Sequence, residues 1–125
     1  MSGPVLVLED NLTNQKLLVK YLTAKGYRVV SASTTKEADV LFGAEKPALV
    51  LVDVSLPGED GLSWVRRIRE GGELTVPMVA ITAHALPADR ERALAAGCAD
   101  CLTKPLELKT LLRVVEQCLR GPAVP

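Results

Sequence analysis

The sequence predicts an α/β protein in which a parallel sheet lies between two layers of helices. Three observations carry this. Short apolar, β-prone runs alternate with helix-period segments five times along the chain. Most of these runs are apolar throughout rather than alternating, as in strands buried on both faces of a parallel sheet. The run at 49–52 (LVLV) passes straight into Asp53 and a turn built on Pro57-Gly58. That places Asp53 at the carboxyl end of a central strand, where open α/β sheets collect their chemistry. Taken alone, an aspartate there could equally cap the helix that follows.

The elements justify themselves in order. Residues 4–8 (PVLVL) form a first buried strand ending on Glu9-Asp10. Residues 12–25 follow as a helix. Leu18, Tyr21, Leu22 and Lys25 form its inward stripe, widened by Leu17, and Gly26 is a left-handed stop. Residues 27–31 (YRVVS) make a more polar strand nearer an edge. Thr34, with Glu37 three residues on, opens a helix over 35–44 that turns Ala38, Leu41 and Phe42 inward. After the 49–52 strand, 62–70 is a helix with Val65 and Ile68 on one face, ended by Gly71-Gly72. Residues 77–81 form a fourth strand ending at Thr82-Ala83. Pro87 starts a helix running to Ala96, capped by Gly97. Residues 100–103 are a short fifth strand closed by Lys104-Pro105. A last helix over 107–119 places Leu108, Leu111, Leu112, Val115 and Leu119 at helical spacing. Two-sided burial puts the first, third and fourth strands at the centre. The expected architecture is therefore a flavodoxin-like (βα)5 three-layer sandwich of strand order 2-1-3-4-5, joined by right-handed crossovers.

Composition narrows the function classes. At 125 residues the chain is expected to be one domain, 1–125, with a core over about 4–119 and a short tail over 120–125. Fifteen basic and fifteen acidic side chains cancel, leaving no electrostatic footprint for nucleic acid or an anionic membrane. No run approaches the roughly 18 apolar residues of a membrane span. The N-terminus lacks the basic region of a signal peptide, so the cytoplasm is expected. Cys98, Cys101 and Cys118 are odd in number, against a secreted disulfide framework. The C-x-x-C pair falls across a strand, which separates the two Cα atoms by roughly 10 Å, too far to bridge. These read as ordinary small buried cysteines. No glycine-rich loop opens the first helix, so phosphate binding by that route is unsupported.

The strand ends on one rim carry Glu9 and Asp10, then Asp53, Thr82 and Lys104. A parallel sheet brings all of them to one edge. Three carboxylates crowded together repel unless a cation joins them, and oxygen ligands with room for water suit Mg²⁺. A lysine and a hydroxyl beside them can hold the oxygens of a tetrahedral anion.

With these features in this order, namely the acidic pair, Asp53 with its L-P-G-x-D-G turn, Thr82-Ala83 and Lys104-Pro105, the chain resembles the receiver domain of two-component response regulators over essentially its whole length. The stretches EDNLTN, TAHALPAD and GCADCLTKP look most like receivers that stand alone or are appended to hybrid histidine kinases. The resemblance implies a phosphoacceptor module of a two-component or phosphorelay system. It implies no activity beyond Mg²⁺-dependent self-phosphorylation and autodephosphorylation, and no DNA-binding output domain. Asp53 would be the phosphoacceptor. Asp10, Glu9 (largely through water), Asp53 and the backbone carbonyl of Ser55 would hold Mg²⁺. Thr82 and Lys104 would each take a phosphoryl oxygen, and the Lys104-Pro105 peptide would be cis. A histidine kinase or histidine phosphotransferase would dock on the first turns of the first helix, around Asn14, Gln15 and Leu18, and on the loop after Pro105. The output would leave by the face of the fourth helix, fifth strand and fifth helix, from a monomer or weak dimer.

Departures from the family pattern are informative. Cys101 stands where an aromatic is usual, so no ring is available to swing inward when Thr82 moves. A smaller rearrangement of the 82–87 loop is expected instead. Ser55 and His84 occupy the variable places that tune phosphoryl lifetime; His84 otherwise reads as a loop residue at the rim. Two further function classes compete. One is a binding scaffold that never turns over phosphate. The other is a small-molecule enzyme or flavin carrier, to which one Trp, two Tyr and one Phe offer little stacking surface.

Overall fold

The computed structural model describes residues 3–56, 58–84 and 86–120. Pro57, the tail at 121–125, and Ala85 within the 82–87 loop lie outside the described residues. The elements run β1 (Val5–Leu8), α1 (Leu12–Ala24), β2 (Val29–Ala32), α2 (Thr35–Glu45), β3 (Leu49–Asp53), α3 (Gly61–Glu70), β4 (Met78–Thr82), α4 (Pro87–Ala96), β5 (Asp100–Thr103) and α5 (Leu108–Arg120). The strands form one sheet in the order β2-β1-β3-β4-β5, every pair parallel. β1, β3 and β4 are buried along their whole length, whereas β2 and β5 are half-buried, as edge strands must be.

Strand alternation divides the core in two. Leu6, Leu8, Val50, Val52, Met78 and Ala80 face α2, α3 and α4. Val5, Val7, Leu49, Leu51, Val79 and Ile81 face α1 and α5. Local signals set the helix ends. Asn11 caps α1 by accepting from the Asn14 amide, and Thr34 caps α2 by accepting from Glu37. Asp60 caps α3 by accepting from Ser63. Asp53 is therefore not the cap of the helix after it. Pro87 sits in the first turn of α4, and Gly97 (φ 117°) ends it in the left-handed region.

The structure corrects several expectations. β2 begins at Val29 rather than Tyr27, because its ladder to β1 starts at the Val5–Val29 pair. In α1 only Leu18 and Leu22 are buried, while Leu17 and Tyr21 are exposed along a cleft against α5. In α5 the stripe is Leu111, Val114 and Val115, and Leu108 is exposed at the first turn. In α3 the sequence reading overlooked Trp64, which is fully buried. Its ring meets Phe42 edge-on at 5.9 Å, and its Nε1–H donates to Asp39 at 2.8 Å. Arg67 then bridges Asp39 and Glu59, tying α2 and α3 to the loop that leaves β3.

Candidate functional site

Register brings the site together. Leu8 pairs with Val52, so the next residues, Glu9 and Asp53, leave adjacent strands level with each other. Asp53 pairs with Ile81, and Thr82 pairs with Thr103, which sets Lys104 one step beyond. Glu9, Asp53 and Thr82 are buried polar residues at one sheet edge, and Asp10 beside them is exposed. Carboxylate oxygens of Glu9, Asp10 and Asp53 all lie within 4.8 Å of one another.

The Asp53 carboxylate is held from two sides. Its Oδ1 accepts from the Ser55 backbone amide at 2.9 Å, and its Oδ2 accepts from Lys104 Nζ at 3.0 Å. Lys104 Nζ also lies 3.4 Å from Glu9 Oε1, and the Asn11 amide donates to Glu9 Oε2 at 3.1 Å. The Lys104–Pro105 peptide is cis. Main-chain bonds brace this corner. Lys104 N–H donates to the Thr82 carbonyl at 2.7 Å, and His84 N–H donates to the Thr82 hydroxyl at 3.2 Å. His84 itself is exposed, and Cys101 is half-buried in β5, level with Ala80.

Electrostatics follows from crowding. Burial, and then hydrogen bonding to Asp53, raises the Glu9 carboxyl to about 7. Burial pushes Asp53 upward too, but hydrogen bonds from Glu9, the Ser55 amide and Lys104 outweigh it and hold Asp53 below the usual carboxylate range. Burial alone would lower Lys104; its bond and attraction to Asp53, then to Glu9, keep it above its ordinary value. With all three carboxylates ionised, the state a bound cation would favour, one ammonium leaves a charge of −2, which one divalent cation balances. The donors are all hard oxygens, and exposed Asp10 leaves room for water ligands, so the residues fit Mg²⁺.

Gly61 is not among the residues expected at the site, and Gln15, expected at the docking surface, makes inward contacts. Gly61, at the start of α3, lies so close to the end of β3 that a Cβ there would sit 2.2 Å from the Asp53 carbonyl oxygen. The L-P-G-x-D-G turn contains it, but only the packing reveals why it is glycine. Gln15 turns its amide inward, donating to the Glu9 carbonyl at 2.9 Å and reaching the Ala32 carbonyl and Ser33 Oγ at 3.2 Å. Of the three residues expected to meet a partner, Leu18 is 5% exposed and belongs to the core, because it shares the sheet-facing stripe of α1 with Leu22. Asn14 and the exposed Leu17 and Tyr21 line the α1–α5 cleft, about 470 Å³, which ends at Glu9 and Lys104.

Known proteins place this arrangement. Residues 5–116 match the family model for the response regulator receiver domain. The chain is 37% identical over 114 residues to two-component system protein A of Emericella nidulans, covering 89% of this chain and 17% of that protein's length. It is 31% identical over 120 residues to the polar-differentiation response regulator DivK of Brucella anthropi, covering 95% of this chain and 98% of DivK. Among solved structures it resembles the receiver domain of a signal transduction histidine kinase from Syntrophus aciditrophicus, with TM-score 0.86 and 30% identity over 95% of this chain and 91% of that one. The same domain thus makes up nearly all of one relative and a small part of another. By sequence, fold and the acidic rim of its sheet, the chain belongs to the response regulator receiver family of two-component signalling.

Proposed function

We propose that Asp53 is the phosphoacceptor and that Mg²⁺ is required for its phosphorylation. The observation that carries this reading is the Asp53 carboxylate, held at 2.9 Å by an amide and at 3.0 Å by Lys104 within reach of two further carboxylates. An Asp53 oxygen donates a lone pair to phosphorus of a phosphohistidine or a small acyl phosphate. The new O–P bond forms as the donor's P–N or P–O bond breaks. The electron pair of that bond leaves on the donor imidazole or carboxylate, and the imidazole takes its proton from water. Asp10, Asp53 and the Ser55 carbonyl, with Glu9 largely through water, would hold Mg²⁺, which when bound would supply positive charge to offset that of the phosphoryl oxygens. Lys104 exchanges its Asp53 contact for a phosphoryl oxygen, and Thr82 supplies a hydroxyl to another. The protein's share of the chemistry is positioning and charge neutralisation.

The donor is a histidine kinase or histidine phosphotransferase. It docks over Asn14, Leu17 and Tyr21 of α1 and the loop after Pro105, which line the cleft that reaches Glu9 and Lys104. The signal leaves by the α4–β5–α5 face of a monomer or weak dimer working in the cytoplasm. Among the described residues no helix is long and apolar enough to cross a membrane. A scaffold that never carried phosphate would gain nothing from three crowded carboxylates, whose mutual repulsion is a cost to folding.

The test is incubation with acetyl phosphate and Mg²⁺ followed by intact mass. The wild-type chain gains one phosphoryl group, whereas Asp53→Asn and wild type in a chelator gain none. An unchanged phosphate yield from Asp53→Asn sinks the assignment.

A further inference from the structure

The amide of Gln15 occupies a place in the sheet that the backbone leaves vacant. In the parallel ladder between β1 and β2, Val5 and Glu9 each donate across to β2, to Arg28 and Ala32. The next rung would run from the Thr34 N–H to the Glu9 carbonyl. Thr34, however, is already the cap of α2, and its chain has turned away. Gln15 Nε2 donates to that carbonyl instead, at 2.9 Å, and reaches the Ala32 carbonyl and Ser33 Oγ at 3.2 Å. The Gln15 backbone N–H donates in turn to the Asn11 carbonyl at 2.9 Å. Asp10 therefore lies between two carbonyls that are both held by the same residue.

We propose that Gln15 is a positioning residue for the acidic pair. It fixes the Glu9–Asp10 peptide and thereby the direction in which the exposed Asp10 carboxylate projects toward Glu9 and Asp53. Glu9 has other restraints, namely the Asn11 amide and Lys104 on its carboxylate and the Ala32 carbonyl on its N–H. Asp10 depends on the peptide that Gln15 holds. The inference rests on the reading of this cluster as a divalent-cation site, and it gives Gln15 a task that faces inward rather than toward a docking partner.

The experiment titrates the full chain with Mn²⁺ alone, followed by electron paramagnetic resonance, with thermal unfolding in chelator measured alongside. Gln15→Met keeps length and loses the donors; it should weaken cation binding on the order of tenfold, as loss of an outer-shell partner does. Gln15→Arg keeps N–H donors on a side chain that reaches, and should recover most of the loss. Met and wild-type chains binding Mn²⁺ equally would overturn the proposal. So would equal weakening in both variants, or a lowered unfolding midpoint with unchanged affinity. A second measurement needs no variant. The Gln15 side-chain amide protons of wild type should exchange slowly and shift on adding Mg²⁺, and an amide exchanging like free glutamine refutes the clip. Asp10→Asn in the same titration separates the two readings. If wild type fails to bind, or Asp10→Asn binds as well, the cation site itself is wrong. If only Gln15→Met is silent, the inference alone fails.

Discussion

Replacing Gly61 by alanine sets helix propensity against packing at the site. Gly61 is the first residue of α3 and has no positive φ, so by propensity alone alanine should stabilise the helix by up to about 1 kcal/mol. The structure reverses the sign. The added Cβ would lie 2.2 Å from the Asp53 carbonyl oxygen and 2.7 Å from Val52 Cγ1. A comfortable carbon–oxygen contact is about 3.3 Å, so the start of α3 must retreat by roughly 1 Å. The neighbours are backbone and a fully buried strand and cannot yield. Overpacking of this kind costs about 1–3 kcal/mol, a loss of roughly 4–12 °C in unfolding midpoint. The retreat also pulls on the Gly61 N–H bond to the Val54 carbonyl, and hence on the loop whose Ser55 amide holds Asp53. A misplacement of about 1 Å can slow phosphoryl transfer on the order of a hundredfold. Gly43 in α2 is the control, since a Cβ there meets nothing within 4 Å. Gly43→Ala should raise the midpoint and leave acetyl phosphate labelling unchanged. Thermal unfolding and labelling rates on both variants decide the matter. A Gly61→Ala protein as stable and as quickly labelled as wild type would refute the close-approach argument.

Other predictions are shorter. Asp39→Ala strands the buried Trp64 Nε1–H and should cost about 1–3 kcal/mol; in a Trp64→Phe background most of that cost should vanish, and full additivity in denaturant melts would contradict the assigned bond. Burial pushes the Cys98 thiol up to about 12, so the unfolded chain gives up this proton first as pH rises. Stability linked to Cys98 is then fully present below about pH 9 and declines from there toward 12. Denaturant melts at pH 8 and pH 10.5 should show a steeper fall for wild type than for Cys98→Ala. In the pH 8 native state Cys98 should resist alkylation until denaturant is added, and prompt labelling would show that it is not buried. Cys101→Ala should barely alter the phosphorylation-dependent gain in partner affinity, whereas Cys101→Tyr should change it. Abolition of that gain in an alanine variant that phosphorylates normally would make Cys101 an active switch element.

Much of this protein is legible in the sequence, because burial and backbone geometry leave periodic marks. Uninterrupted apolar runs at 5–8, 49–52 and 78–81 mark strands covered on both faces, and the parallel order places their carboxyl ends on one rim. Capping is equally local: Thr34, Pro87 and Gly97 act within a few residues of themselves. Asp53, Glu9 and Asp10 could be gathered from strand ends alone, since chain topology dictates which edge they share. Tertiary structure decided what depends on an opposing surface. Leu17 and Leu18 are both apolar neighbours on α1, yet the sheet covers only Leu18, while a cleft against α5 leaves Leu17 open. Val114 rather than Leu108 completes the α5 stripe because Leu108, in the first turn, borders the open cleft against α1. Trp64 finds its acceptor on Asp39, 25 residues earlier, a pairing that no local pattern encodes. Gln15 and Gly61 carry no signature of their own. One fills a missing rung between β1 and β2, reaching a carbonyl 17 residues further along the chain, and the other is glycine because a carbonyl stands where its Cβ would be. Periodicity records which way a residue faces; what it faces is fixed only when the layers close.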